Sequence, residues 1–173
     1  MTTGWLCLEG NWYYFQNDGK MYKGIIYNSG AWYYLSDTDG IMQKGWYTNL
    51  AGETYYMDAY GIMQFDWQKI DSYWYYFSEE ESTIGQMQKG ILYSVDTWYY
   101  LDDTSGIMRR GWYTNLAGET YYLDGVGAMK FGFQEIDGKQ YYFSRDNATL
   151  GQMRKGPVFD SGAWYYLDTE DGT

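Results

Sequence analysis

Short runs in which large apolar residues alternate with polar ones, or sit in pairs, recur along this chain, each broken by a turn signal. Residues 45–58 show the pattern: GWYTNL alternates, AG marks a turn, and ETYYMD is rich in strand formers. The pattern predicts a β-hairpin, followed by a linker with a Gly and an apolar pair, here AYGIMQ (59–64). Elsewhere the turn is supplied by EG (9–10), SG (29–30), DS (71–72) or DG (137–138). No window carries a helical period. Side chains alternate along WYYL, so Trp32 and Tyr34 point to one side and Tyr33 and Leu35 to the other. Both faces are large and apolar. An isolated hairpin is unstable in water, so these hairpins are expected to stack, each sandwiched between neighbours.

Aligning the chain on its YY pairs gives eight units: 4–23, 24–44, 45–65, 66–89, 90–110, 111–131, 132–155 and 156–173. A period of this length marks a repeat array and predicts an all-β chain of stacked hairpins. A longer period is superimposed on it. Residues 24–89 align without gaps on 90–155 with 40 of 66 positions identical, and GWYTNLAGETYY is the same at 45–56 and 111–122. The larger repeat is therefore a triplet of units, with one unit before the two triplets and a shortened one after. Pro157 falls at a strand start, where a missing donor is tolerated.

Composition narrows the chemistry. Lys and Arg total 12 against 23 Asp and Glu, a net charge of −11, which disfavours nucleic acid and anionic membrane surfaces. There is no His, so the usual general base and commonest zinc ligand are missing. Cys7 is alone and forms no intrachain disulfide; it reads as a small semi-buried apolar residue. No apolar run is long enough to span a membrane, and Met1–Leu6 does not read as a signal peptide. The turns SDTDG (36–40), LDDTSG (101–106) and LDTEDG (167–172) lack full calcium-loop spacing and read as Asp/Gly turns. EEES (79–82) reads as a solvated run in a long loop, and its repeat partner RDNA (145–148) keeps one carboxylate. Phosphate-binding loops and Ser or Cys nucleophile motifs are absent. Neither catalysis, a metal site nor a cofactor is expected.

The spaced pattern G-W, then W-Y-Y-[LF], then G-x-M-x-x-G resembles the choline-binding repeat of Gram-positive autolysins, surface proteins and phage endolysins. GWLCLEGNWYYFQNDGKMYKG (4–24) matches it almost completely, and DWQKIDSYWYYFSEEESTIGQMQKG (66–90) matches with Asp for the first Gly and a longer loop. The resemblance covers essentially the whole chain. It implies a left-handed β-solenoid with about three hairpins per turn, and a non-catalytic module that anchors an attached protein to the wall. The implied partner is choline or phosphocholine on teichoic or lipoteichoic acid, with no membrane insertion. The implied location is extracellular and wall-associated, or release at phage lysis. Some members pair through a terminal hairpin, which admits a homodimer. Related glucan-binding and toxin repeats leave a carbohydrate-binding array as a second reading, and a structural or protein-binding spacer as a third.

In the family's cage, two walls are the Trp of GW and the Trp of WYY. The third is the second Tyr of the next hairpin's YY, with a Met beside them. Aromatic faces attract a quaternary ammonium by cation–π interaction, up to ~2 kcal/mol each when desolvated. The repeats are unequal. The GW position holds Trp5, Ile25, Trp46, Trp67, Ile91, Trp112, Phe133 and Pro157. The first letter of WYY is Trp12, Trp32, Thr54, Trp74, Trp98, Thr120, Gln140 and Trp164. Only the first and fourth units have Trp at both. Two cages are therefore expected: Trp5, Trp12 and Tyr34 with Met21, and Trp67, Trp74 and Tyr100 with Met87.

Overall fold

In the computed structural model, which describes residues 2–173, the chain is all-β and pairs into eight separate two-stranded antiparallel sheets. It divides into two compact units, one ending at Gln88 and the other running Lys89–Thr173. The first unit holds β1 (Gly4–Leu8), β2 (Asn11–Phe15), β3 (Gly24–Asn28), β4 (Ala31–Leu35), β5 (Gly45–Thr48), β6 (Thr54–Met57), β7 (Asp66–Ile70) and β8 (Tyr73–Phe77). The second holds β9 (Gly90–Ser94), β10 (Thr97–Leu101), β11 (Gly111–Thr114), β12 (Thr120–Leu123), β13 (Gly132–Ile136), β14 (Lys139–Phe143), β15 (Gly156–Asp160) and β16 (Ala163–Leu167). Successive strands pair as hairpins, as the sequence pattern predicts.

The two-residue turns place both central residues at positive φ, for example Glu9 at 51° and Gly10 at 84°. This turn twists with the strands it joins, which is why it selects Gly, Asn and Asp. In β5–β6 a longer NLAGE loop closes instead, with the Asn49 side-chain oxygen accepting the N–H groups of Ala51 and Glu53.

Within the first unit the hairpins stack face to face. Cross-strand partners share a face, so Trp5, Tyr14, Cys7 and Trp12 lie on one side of the first hairpin and Leu6 and Tyr13 on the other. The forward face of one hairpin meets the backward face of the next: Trp5 reaches Tyr33, Tyr34 reaches Tyr47 and Tyr55, and Trp46 reaches Tyr75. The core runs along the fourth letter of the WYY[LF] phrase and its equivalents. Leu35, Met57 and Phe77 are fully buried, and Tyr34, Tyr55, Met57 and Met63 form one cluster under Ile25, Trp32, Tyr47 and Phe65. The second unit repeats this with Tyr100, Tyr121, Leu123 and Met129, and a further cluster of Tyr142, Val158 and Leu167 against Phe133.

Linkers lock the stack. Each linker Met bridges back to the end of its own hairpin, as in Phe15 with Met21 and Leu35 with Met42. In the first unit the side chains of Met21, Met42 and Met63 then lie beneath Gly40, Gly61 and Gly85 of the following linker. At Gly61, where φ is 85°, a Cβ would sit 2.6 Å from the Met42 methyl, so both conformation and contact demand glycine. Longer loops are tied by carboxylates. Glu53 accepts from Asn49 (2.7 Å), Tyr55 (3.0 Å) and Gln86 (2.9 Å), and Glu119 repeats the arrangement with Asn115, Tyr121 and Gln152. Of the three acidic turns, the second has Asp102 accepting from the Thr104 and Ser105 N–H groups and from the Arg109 guanidinium. The EEES run is exposed on its loop.

Candidate functional site

The first groove lies between the first two hairpins and is a cleft of about 430 Å³. Trp5 on β1, Trp12 on β2, Tyr33 on β4, Met42 and Lys44 of the linker after β4, and Tyr60 line it. Trp5 and Trp12 are diagonal neighbours on one face, because Trp5 pairs with Tyr14 and Trp12 with Cys7. Their ring centroids are 6.5 Å apart at 80°. Tyr33 closes on Trp5 at 4.9 Å and 68°, and Tyr14 supports it from beside at 5.3 Å. The polar edge of Trp5 is satisfied elsewhere: its indole N–H donates to the Asn28 side chain at 3.1 Å, and the Asn28 amide donates to the Tyr14 hydroxyl. The indole is thus held by two hairpins with its π faces free of that duty. Trp12 remains 42 % exposed.

Tyr34 and Met21, expected in this cage, lie elsewhere. Tyr34 is buried on the opposite face of its hairpin, 4.8 Å from both Tyr47 and Tyr55. Its hydroxyl donates to Asp37 and accepts from Asn49. Burial, with the nearby Asp37 charge, pushes that hydroxyl up to about 12 although the Asn49 donor opposes it. Strand alternation is the reason: the face of the second hairpin that meets the first carries Tyr33. Met21 packs against Gly40. The methionine at the groove is Met42, whose backbone N–H donates to the Trp12 carbonyl at 2.8 Å. Tyr33, Met42, Lys44 and Tyr60 were not anticipated. Carrying the alternation of WYYL across to the preceding hairpin would have found Tyr33; nothing in the sequence marks Tyr60.

The members of the second expected set fall in both units. Trp67 and Trp74 share a face of the β7–β8 hairpin, with Tyr76 5.4 Å from Trp67 at 74°, close to the Trp5–Tyr14 arrangement. Lys69 pairs with Trp74 where Cys7 pairs with Trp12. Met87 bridges to Phe77 and its N–H donates to the Thr54 carbonyl. Tyr100 is a core residue of the second unit. It is buried between Tyr113 and Tyr121 at 4.9 and 4.7 Å, its hydroxyl pushed up to about 12 chiefly by that burial. The cause is the same alternation that turns Tyr34 inward.

Two further kinds of groove recur. Behind Ile25, Tyr27 lies tilted against Trp32 at 5.0 Å, and Ile25 and Trp32 pack on the cluster of buried Tyr34, Tyr55, Met57 and Met63. Behind Trp46 the Trp–Tyr pair of the first groove recurs, Trp46 to Tyr75 at 4.9 Å and 68°, and Trp112 to Tyr141 at 4.8 Å and 72°. There Thr54 or Thr120 stands in place of Trp12, sharing a hydroxyl hydrogen bond of 3.0 Å with Thr48 or Thr114.

Comparison with known proteins agrees with this architecture. The choline-binding repeat model matches residues 2–40, 66–110 and 130–173. The chain is 38% identical over 187 aligned positions to glucosyltransferase-S of Streptococcus mutans, covering 95% of this chain and 12% of that protein. It superposes on choline binding protein F of Streptococcus pneumoniae with a TM-score of 0.76 and 37% identity, covering 93% of this chain and 54% of the other. CbpJ of Streptococcus pneumoniae gives 0.73 and 34%, over 93% and 55%. The chain thus spans about half of these structures and a small part of the glucosyltransferase. With hairpins of this kind, an aromatic groove between two of them and a family model matching most of its length, this chain belongs to the choline-binding repeat family.

Proposed function

We propose that the chain is a non-catalytic wall-anchoring module that recognises choline of teichoic acids through aromatic grooves between successive hairpins. The carrying observation is the first groove: two indoles at 80° and a tyrosine ring at 4.9 Å, with a methionine alongside. A quaternary ammonium donates no hydrogen bonds and is weakly hydrated, so π faces compete well with water for it. Three such faces support about millimolar binding at one groove after association costs. A polymer displaying choline repeatedly adds avidity. Trp67 and Trp74 present a second indole pair of the same register.

The test is retention on an immobilised tertiary amine at high salt, where the attraction of a chain of charge −11 to any cationic resin is screened. Elution by choline and not by equimolar sodium chloride is the expected result. Elution by salt alone would remove the proposal.

A second reading, glucan binding, is favoured by the Thr-lined grooves. Trp46 and Trp112 stay 41 % and 42 % exposed beside paired hydroxyls, a surface suited to stacking and hydrogen-bonding a sugar. The likeness to glucosyltransferase-S points the same way. Thermal shift separates the readings, since a ligand that binds the native stack raises its melting temperature. A rise with millimolar choline supports the first; a flat choline response with a rise on α-glucan supports the second.

A further inference from the structure

A second cleft, of about 460 Å³, opens beside the first linker. Tyr14 of β2, Gln16, Asn17 and Asp18 of the loop after it, Tyr22 of the linker and Ile26 of β3 line it. Tyr14 lies 5.3 Å from Trp5 and 6.5 Å from Tyr22, the second pair at 89°. The two tyrosines and Ile26 are half-buried, and the three polar residues are exposed. The opening traces to one position. The residue after each linker Met is Tyr22, Gln43, Gln64, Gln88, Arg109, Lys130 or Arg154. The three Gln side chains donate to the carbonyl two residues back, at Ile41, Ile62 and Gln86. Arg109 and Lys130 reach back to Asp102 and Asp124. Arg154 makes no such bond among the described residues. Tyr22 turns forward instead, its hydroxyl donating to the Ile25 carbonyl at 3.0 Å, and the loop behind it stays uncovered.

The cleft offers a ligand π faces and hydrogen-bond acceptors. Asp18 is fixed in place, one carboxylate oxygen accepting the Lys20 backbone N–H at 3.0 Å and the other facing the Lys20 ammonium at 3.0 Å. Those bonds hold its carboxyl below the usual carboxylate range, so it is charged at neutral pH. The Lys20 pair lies at the surface, where such a pair is weak and exchanges readily. Gln16 and Asn17 add amide oxygens. The first groove has no carboxylate among its lining residues and suits a cation that donates no hydrogen bonds. This cleft suits a cation that does. A guanidinium is flat, stacks on a tyrosine face and presents a fork of donors to a carboxylate. Its aliphatic stem covers apolar surface such as Ile26. We propose that the cleft binds the guanidinium of an arginine-bearing peptide segment of a protein partner, which stacks on Tyr22 and takes Asp18 from Lys20. The net charge of −11 favours the approach of a basic segment. A neutral sugar would use the rings and amides but gain little from the charge on Asp18.

The test uses the full chain with labelled isoleucine methyls, reading Ile26, assigned with Ile26→Val. The probe is acetyl-Gly-Arg-Gly-amide at low salt. The expected result is a saturable shift of the Ile26 methyl with about millimolar affinity, weakened at high salt. Asp18→Asn should lower the affinity about two- to fivefold. Tyr22→Gln, which restores the residue of three other linkers, should lower it by a similar factor of about two to five. Lys20→Gln removes the competing ammonium and should raise it about twofold. The same peptide with citrulline for arginine should give no saturable shift. Asp18 is exposed, so Asp18→Asn probes the site in a folded chain even where Tyr22→Gln disturbs the hairpin. No saturable response to the arginine peptide, a response unchanged by Asp18→Asn, or an equal response to the citrulline peptide or to choline would overturn the proposal. A response to a short α-glucan with none to the peptide would overturn it too, and assign the cleft to a sugar.

Discussion

The backbone N–H of Met42 donates to the carbonyl of Trp12 across 2.8 Å, so a residue of the second linker is pinned to the second strand of the first hairpin. The same bond joins Met63 to Trp32, Met87 to Thr54, Met129 to Trp98 and Met153 to Thr120. It uses main-chain atoms only, so it persists when Trp gives way to Thr. The frame of each groove is set by the backbone, and its ligand by the side chains placed on that frame.

Adjacent tyrosines should therefore have opposite roles. Tyr33→Ala should weaken choline binding at the first groove by about 1–2 kcal/mol, the loss of one cation–π wall, with a smaller stability cost. Tyr34→Ala should destabilise the fold by about 3–5 kcal/mol, as for other buried aromatics. Calorimetric titration and chemical denaturation of the two variants separate the roles. A larger affinity loss from Tyr34 in a chain that still folds would reverse the assignment.

A second wall should be installable. Thr54→Trp places an indole opposite Trp46 and Tyr75 on a backbone already bonded to Met87. Choline stoichiometry should rise by about one site, at about the affinity gained from one further π face. An unchanged stoichiometry in a folded variant would show that two indoles and a tyrosine do not suffice.

Gly61→Ala should reach the first groove indirectly. The new Cβ meets the Met42 methyl at 2.6 Å, at a φ of 85° that L residues rarely adopt. The expected cost is about 1–2 kcal/mol of stability, with a shifted Met42 methyl resonance and weaker choline binding. Met42→Ala in the same chain removes the collision and should restore part of the stability. Normal affinity in Gly61→Ala would mean that Met42 has no part in the site.

Alkali should unfold the chain in a defined window. Tyr34 and Tyr100 are raised to about 12, mainly by burial, and Tyr55 and Tyr121 are raised as well. Below about pH 10 both states keep these protons and stability is unaffected. Above it the unfolded chain releases them while the native chain holds them, so stability falls as pH rises from about 10 towards 12. Tyrosinate absorbance should show the buried set ionising only together with loss of structure. A single transition near pH 10 in a chain that stays folded would contradict the burial.

Most of the architecture was legible because hairpins are local. GWYTNL, its turn and ETYYMD contain everything that pairs β5 with β6. The inequality of the grooves was legible too, since Ile25 and Thr54 announce missing indoles. What failed was the assignment of partners across hairpins. Tyr33 and Tyr34 are chemically identical, and only the parity of the strand and the order of stacking decide which one meets Trp5. The choice among methionines failed for a related reason. Met21 is nearer to Trp12 in sequence, but the linker that passes Trp12 is the next one, a path set by the main-chain bond from Met42. Lys44 was invisible because Lys23, Lys44, Lys89 and Lys155 all stand directly before a hairpin-opening glycine, and the sequence does not say which of them borders the groove.

The groove draws Trp5 and Trp12 from one repeat, Tyr33, Met42 and Lys44 from the next, and Tyr60 from the one after. On the proposed reading, recognition is therefore written at the joints of the array and in no single repeat. Inserting or deleting one repeat rewrites a joint, because it changes which neighbour supplies the tyrosine and the methionine. Copying three consecutive repeats as a block leaves every joint inside the block with its original neighbours. The 66-residue period of this chain is the shortest length that can be duplicated without scrambling its own three kinds of joint.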